Sequence, residues 1–208
     1  MKKLVKSYHV FLPYVWERWL LYLVYPLCLV LVNVGMVKNG IPPEICVMLC
    51  SSLIVAVELF ADLLVFGGIA AKDTNKLEYL KTSAKGLGVL QSSIIGDAIR
   101  RLFSVTVILM AYCLMDSTIF TAHRQMMCVF STLFLVELGL IVSRSFSHLS
   151  VVMATSACLE MLATPLTAVV LSNVMAGVIC PVLYVIVLIV GRMRIMKKAR
   201  KSYYDGRD

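Results

Sequence analysis

Residues 45–71, "ICVMLCSSLIVAVELFADLLVFGGIAA", carry only two charged side chains, Glu58 and Asp62, in a run long enough to cross a bilayer. A helix rises about 1.5 Å per residue, so about 20 apolar residues traverse a hydrocarbon core roughly 30 Å thick. Outward from this stretch lie further runs at about 19–37, 98–115, 126–143, 149–171 and 174–191. The run at 98–115 is the shortest, and its core "LFSVTVILMAYCLM" borrows turns from the amphipathic residues before it. Whole-chain composition agrees: 60% of the 208 residues are apolar, 15% are charged and the mean hydropathy is +0.88. A soluble domain carries about a quarter charged residues. The expected fold is all-α: a single polytopic membrane domain over 1–208 with about six transmembrane helices. No linker, low-complexity tract or internal repeat divides it.

Basic residues near span ends stay on the cytoplasmic side of a membrane. Lys2, Lys3, Lys6 and Arg18 precede the first run, and Lys72, Lys76, Lys81, Lys85, Arg100 and Arg101 separate the second from the third. Arg144 follows the fourth, and Arg192, Arg194, Lys197, Lys198, Arg200, Lys201 and Arg207 make a basic tail over 192–208. Lys38 and Arg124 alone fall opposite. Both termini are therefore expected in the cytoplasm, with the chain in a cell membrane. The net charge of +8 finds a sufficient partner in anionic membrane lipid. Nucleic acid is not expected, because the basic residues flank spans and no base-reading motif accompanies them.

The opening "MKKLVKSYHVFLPYVWERWL" reads as a retained segment rather than a signal peptide, since Trp16-Glu17-Arg18 interrupts its apolar run. Tyr8, Phe11, Tyr14, Trp16 and Trp19 suit residues 1–18 to the headgroup region, with Pro13 separating them from the first span. Cys28, Cys46, Cys50, Cys113, Cys128, Cys158 and Cys180 lie in or beside apolar runs, where free Cys acts as a small hydrophobe. Cys46 and Cys50 with Met48 offer soft-metal ligands one turn apart, but no His or further Cys completes a set, and no metal is expected. His9, His123 and His148 are scattered and read as interfacial.

Residues 72–101 form the one long polar insert, and a loop of that length in a compact chain usually has a job. Asn75 and Glu78 resemble a capping box, Leu77, Leu80 and Ala84 share a helical face, and Gly86 and Gly88 are expected to end the helix. A second helix from about Leu90 presents Ile94, Ile95, Ala98, Ile99 and Leu102 to the membrane surface. In it Asp97 can pair with Arg101 one turn later. A very short helix is marginal in water, so the first should dock, and its narrow apolar stripe among mixed charges suits a protein groove better than lipid.

"NKLEYLKTSAKGLGVLQSSIIGDAIRR" (75–101) resembles the coupling segment of type-2 ABC transporter permeases, the six-span membrane subunits of many bacterial exporters. Leu77, Glu78, Leu80, Thr82 and Ser83 match its Leu-Glu-x-Leu helix and small-residue turn. The likeness extends to the amphipathic N-terminus, the inside termini and the brief turn "SRSFSHLS" at 143–150. The resemblance implies a permease, identical or homologous in its second copy, with cytosolic ABC ATPase subunits docked at Leu77, Glu78, Tyr79, Leu80, Lys81, Thr82 and Ser83. ATP and Mg would sit on that partner, because this chain has no Walker A sequence, carries no cofactor motif and is not itself expected to be an enzyme.

Glu58, Asp62, Glu137 and Glu160 fall within spans, with no Lys or Arg expected to be buried beside them. Glu58 and Asp62, at i and i+4, point the same way. Counted from the span ends, Asp62 and Glu137 lie in the inner half and Glu58 and Glu160 near the middle. Such acids face a bundle interior or water. One reading is a polar site for a cationic or proton-linked substrate. The other, favoured because desolvated carboxylates readily become neutral, is that they hold helices together through Ser, Thr or backbone groups. The competing functions are a self-contained small secondary transporter or channel using these acids, and a membrane adaptor whose insert docks another protein.

Overall fold

A computed structural model describes residues 2–12, 14–66, 85–115, 121–145 and 149–204. Within them the chain is helical throughout. The helices are α1 (Lys2–His9), α2 (Val15–Lys38), α3 (Pro43–Phe66), α4 (Gly86–Met115), α5 (Ala122–Ser143), α6 (Leu149–Ser172) and α7 (Val174–Tyr204). Five of these, α2, α3, α5, α6 and α7, hold stretches long and apolar enough to cross a membrane. The chain is a helical membrane bundle. The α4 helix is longer than most of them, but carries Asp97, Arg100 and Arg101 along its length.

The sequence sets several of these limits. The Schellman turn after α2 has Gly40 at φ +79, with Gly40 N–H donating to Val37 O (3.1 Å) and Ile41 N–H to Met36 O (3.2 Å). Pro43 then opens α3, its missing N–H one that a first turn leaves unpaired anyway. Thr121 caps α5 by accepting from Arg124 N–H at 3.4 Å. Within α2 a wider π turn over Leu20–Val24 precedes Pro26, which supplies no backbone donor. The α6 helix runs through Pro165 to Ser172, and Asn173 alone separates it from α7, its Oδ1 accepting from Met175 N–H at 3.0 Å.

The α5 helix is the centre of the bundle and packs against α3, α4, α6 and α7. One core cluster joins Leu29, Cys50, Ile54, Ile108, Tyr112, Cys128 and Leu133 near the starts of α3 and α5. A second, at the opposite end of α3, joins Tyr8, Phe11, Leu12, Leu21, Ala61, Val65, Phe66, Leu90, Ile94 and Ile195. Between the two lies the charged layer described below.

Three expectations change. Tyr8 and Phe11 are not headgroup aromatics: α1 lies against α4, and both rings are buried on Phe66. Only Tyr14, Trp16 and Trp19 stay exposed. Gly96 permits that approach, because a Cβ there would stand 3.2 Å from Leu4 O and 3.3 Å from Tyr8 Cβ. Gly86 opens α4 and Gly88 lies inside it, so Gly88 does not end a helix; Leu87 and Leu90 packing on the Phe66 cluster outweigh glycine's helix-breaking tendency. The amphipathic stretch from Leu90 is one unbroken helix with the run at 98–115, so residues 86–101 belong to α4 rather than to a separate insert. The basic stretch expected as a tail is helical from Arg192 to Tyr204, continuous with α7. Pro13, His148, the helix expected at 75–85 apart from Lys85, and hence Leu77, Glu78, Tyr79, Leu80, Lys81, Thr82 and Ser83, lie outside the described residues.

Candidate functional site

Glu58 in α3 and Glu137 in α5 stand equally far past the first residues of their helices, and Arg100 equally far before the last residue of α4. The distance is about 22 Å along each axis. Antiparallel neighbours of equal reach must bring such residues to one level, and they do. Arg100 forks onto Glu58, Nη1 donating to Oε1 at 3.1 Å and Nη2 to Oε2 at 2.6 Å. It also donates to Asp97 Oδ1 from Nε and Nη2, at 3.3 and 3.2 Å. Arg101 donates to Glu137 Oε1 at 3.3 Å and to Asp97 Oδ2. One turn further toward the second core cluster, Arg144 at the C-cap of α5 reaches Asp62 through Nε at 3.0 Å and Asp97 Oδ2 through Nη2 at 2.8 Å. Ser143 Oγ donates to Asp62 Oδ2 at 3.0 Å.

The expectation that no Lys or Arg is buried with the membrane acids is therefore wrong. Arg100, Arg101 and Arg144 are all buried with them, each no more than 6% exposed. The paired Asp97–Arg101 turn stands as expected. Glu58 and Asp62 do share a face and both enter the network. Glu160 does not: it is half-buried on α6, and the contact found there is its backbone oxygen accepting from Ser52 Oγ at 3.2 Å. The signal that could have predicted this was on the page. Asp97, Arg100 and Arg101 lie at i, i+3 and i+4, one face of one helix, and spans carrying acids need bases from their ends.

Three helices are thus tied to one another by charge: α3 to α4 through Glu58–Arg100, α4 to α5 through Arg101–Glu137, and α3 to α5 through Asp62–Arg144. Asp97 takes all three arginines and is the hub. Four carboxylates face three guanidiniums, a formal excess of one negative charge. Glu137, with one long bond, is the acid held least. Isolated buried charges would cost several kcal/mol each, so the network persists only because nearly every partner is filled.

The layer is closed on the α1 side. Tyr8, Ala61 and Val65 cover Glu58, Asp62, Asp97, Arg100 and Arg101, and the space among them is too small for a water molecule. Burial first, and then Asp97, hold the Tyr8 phenol far above its ordinary range, so it lies there neutral. The Arg144 guanidinium stacks 4.5 Å from the centre of the Phe66 ring. On the α1 side the layer is thus a dry clamp, whereas toward α7 Arg101, Glu137 and Arg144 line a cleft. Among the described residues no group of His, Cys, Asp and Glu could hold a metal ion. Asn33 Nδ2 instead donates to Cys50 Sγ at 3.0 Å.

Comparison with protein-family models, with curated proteins and with solved structures finds no match.

Proposed function

We propose that the chain is the membrane subunit of an ABC exporter, with six spans, cytoplasmic termini, and a cytosolic ATPase docked on the insert after α3. In this reading α4 is the third of the six spans, its charges tolerable because protein rather than lipid surrounds them. The observation that carries it is where the insert is rooted. Residues 67–84 leave α3 one turn past Asp62, at Phe66, and rejoin the chain just before α4, whose Asp97 is the hub. Phe66 packs beneath Arg144, and Leu87 and Leu90 pack in the same cluster. A push on the insert would meet three helices locked by charge, so it would move them together rather than bend one.

The closure over Glu58 and Asp62 counts against the competing transporter or channel. A carboxylate that takes up a cation or proton needs a wet path, and Glu58 and Asp62 lack one on the Tyr8 side. Their charge is already spent on arginine.

The test is to purify the chain from its native membrane under mild detergent and assay Mg-ATP hydrolysis and the identity of co-purifying chains. A stoichiometric Walker-A protein with vanadate-sensitive hydrolysis supports the reading. Ion or substrate flux by the chain alone in liposomes, with no such partner, overturns it.

A further inference from the structure

The apolar face read from the sequence as lying on the membrane, Ile95, Ala98, Ile99 and Leu102, instead lines a cleft. Its other walls are Ile141 of α5 and Tyr184, Leu188 and Ile195 of α7, and it encloses about 290 Å³. The α7 helix leans on α5 and touches α4 only sparsely, which leaves the gap open. Its rim is apolar and exposed at Ile99 and Leu102, so it opens toward hydrocarbon rather than water.

The floor is charged. Arg101 and Arg144 line it together with the Glu137 carboxylate; Arg101 is 1% exposed, and its Nε is buried without a hydrogen-bond partner. A guanidinium N–H in that state is a donor awaiting an acceptor. At the mouth, Arg192 lines both this cleft and a neighbouring groove of about 310 Å³, where Arg200 follows two turns along α7. Unlike Arg101 and Arg144, neither Arg192 nor Arg200 has a carboxylate partner among the described residues. An apolar slot open to the bilayer, with unspent positive charge at its mouth, matches one chemistry.

We propose that the cleft between α4 and α7 binds an anionic phospholipid from the leaflet at the basic end of the bundle. The phosphate sits at Arg192 and Arg200, and one acyl chain lies between Ile99 and Leu188. The lipid would brace α7 against the charged layer, and the site stands whatever the fate of the ABC reading.

The experiment is native mass spectrometry of the purified chain in nonionic detergent, titrated with phosphatidylglycerol, phosphatidylcholine or glycerol 3-phosphate. Phosphatidylglycerol is expected to bind more tightly than phosphatidylcholine by about fivefold or more, with glycerol 3-phosphate a poor competitor. Arg192→Gln should abolish that preference, while Arg194→Gln, an equal loss of charge outside both grooves, should leave it. Leu188→Trp should weaken both lipids by filling the slot. Ile99→Trp, on the exposed facing wall, makes the same test should Leu188→Trp misfold. Equal binding of the two lipids, an equal effect of Arg194→Gln and Arg192→Gln, or competition by glycerol 3-phosphate as strong as by the lipid would each overturn the site.

Discussion

Replacing Arg100 by Met tests the clamp most sharply, because its four hydrogen bonds go to two acids on two helices. The substitution leaves Glu58, itself 1% exposed, without a cationic partner. It also raises the formal excess of negative charge in the layer from one to two. Removing one member of a buried pair costs about 3–5 kcal/mol, about two to nearly four decades in the folding equilibrium. Glu58→Met should cost less, about 1.5–3 kcal/mol, because Arg100 keeps Asp97 and the layer becomes neutral. The double variant loses both charges and keeps an unbranched apolar side chain in each place. It should therefore fall short of the summed single costs by at least about 1.5 kcal/mol. Reversible unfolding in mixed micelles of rising dodecyl sulfate fraction reads all three. Costs that add within about 0.5 kcal/mol, or an Arg100→Met no worse than Glu58→Met, would refute the pairing.

Other outcomes follow from the same layer and its surroundings. Glu137→Gln removes the excess charge at the acid held by a single 3.3 Å bond, so it should cost under about 1 kcal/mol in the same unfolding assay. Gly96→Leu must displace the α1 backbone at Leu4 O, so a cysteine placed at Tyr8 should gain thiol reactivity while total helix content holds. Cysteines placed at Lys85 and Lys198 in a Cys-free chain should label only from the cytoplasm, and one at Asn39 only from outside. Labelling at position 85 in intact cells by an impermeant reagent would break the six-span topology.

The membrane class and the long apolar helices were legible in the chain because hydropathy and length are local properties. So were the shared face of Glu58 and Asp62 and the Asp97–Arg101 turn, both consequences of helical spacing. The burial of Arg100, Arg101 and Arg144 was not. Counted by position along the chain, an arginine at a span end belongs to water and lipid headgroups. These three are drawn inside because α1 folds over α4 and closes the layer from outside. Nothing in residues 2–9 alone says that Gly96, far along the chain, offers them a seat. Gly88 misled for a related reason: tertiary packing of Leu87 and Leu90 carries the helix through it against local propensity.

The most direct test of the proposed role lies in the insert itself. Leu80→Asp removes a docking side chain worth about 1.5–3 kcal/mol of burial and adds the cost of desolvating a carboxylate, so affinity for an ATPase should fall at least about tenfold. The measurement is ATP hydrolysis co-purifying with the membrane-inserted chain, wild type against Leu80→Asp, at matched membrane levels. Hydrolysis and partner lost together, with insertion intact, is the result expected of a coupling insert. A Leu80→Asp chain that keeps a fully active ATPase complex would contradict it.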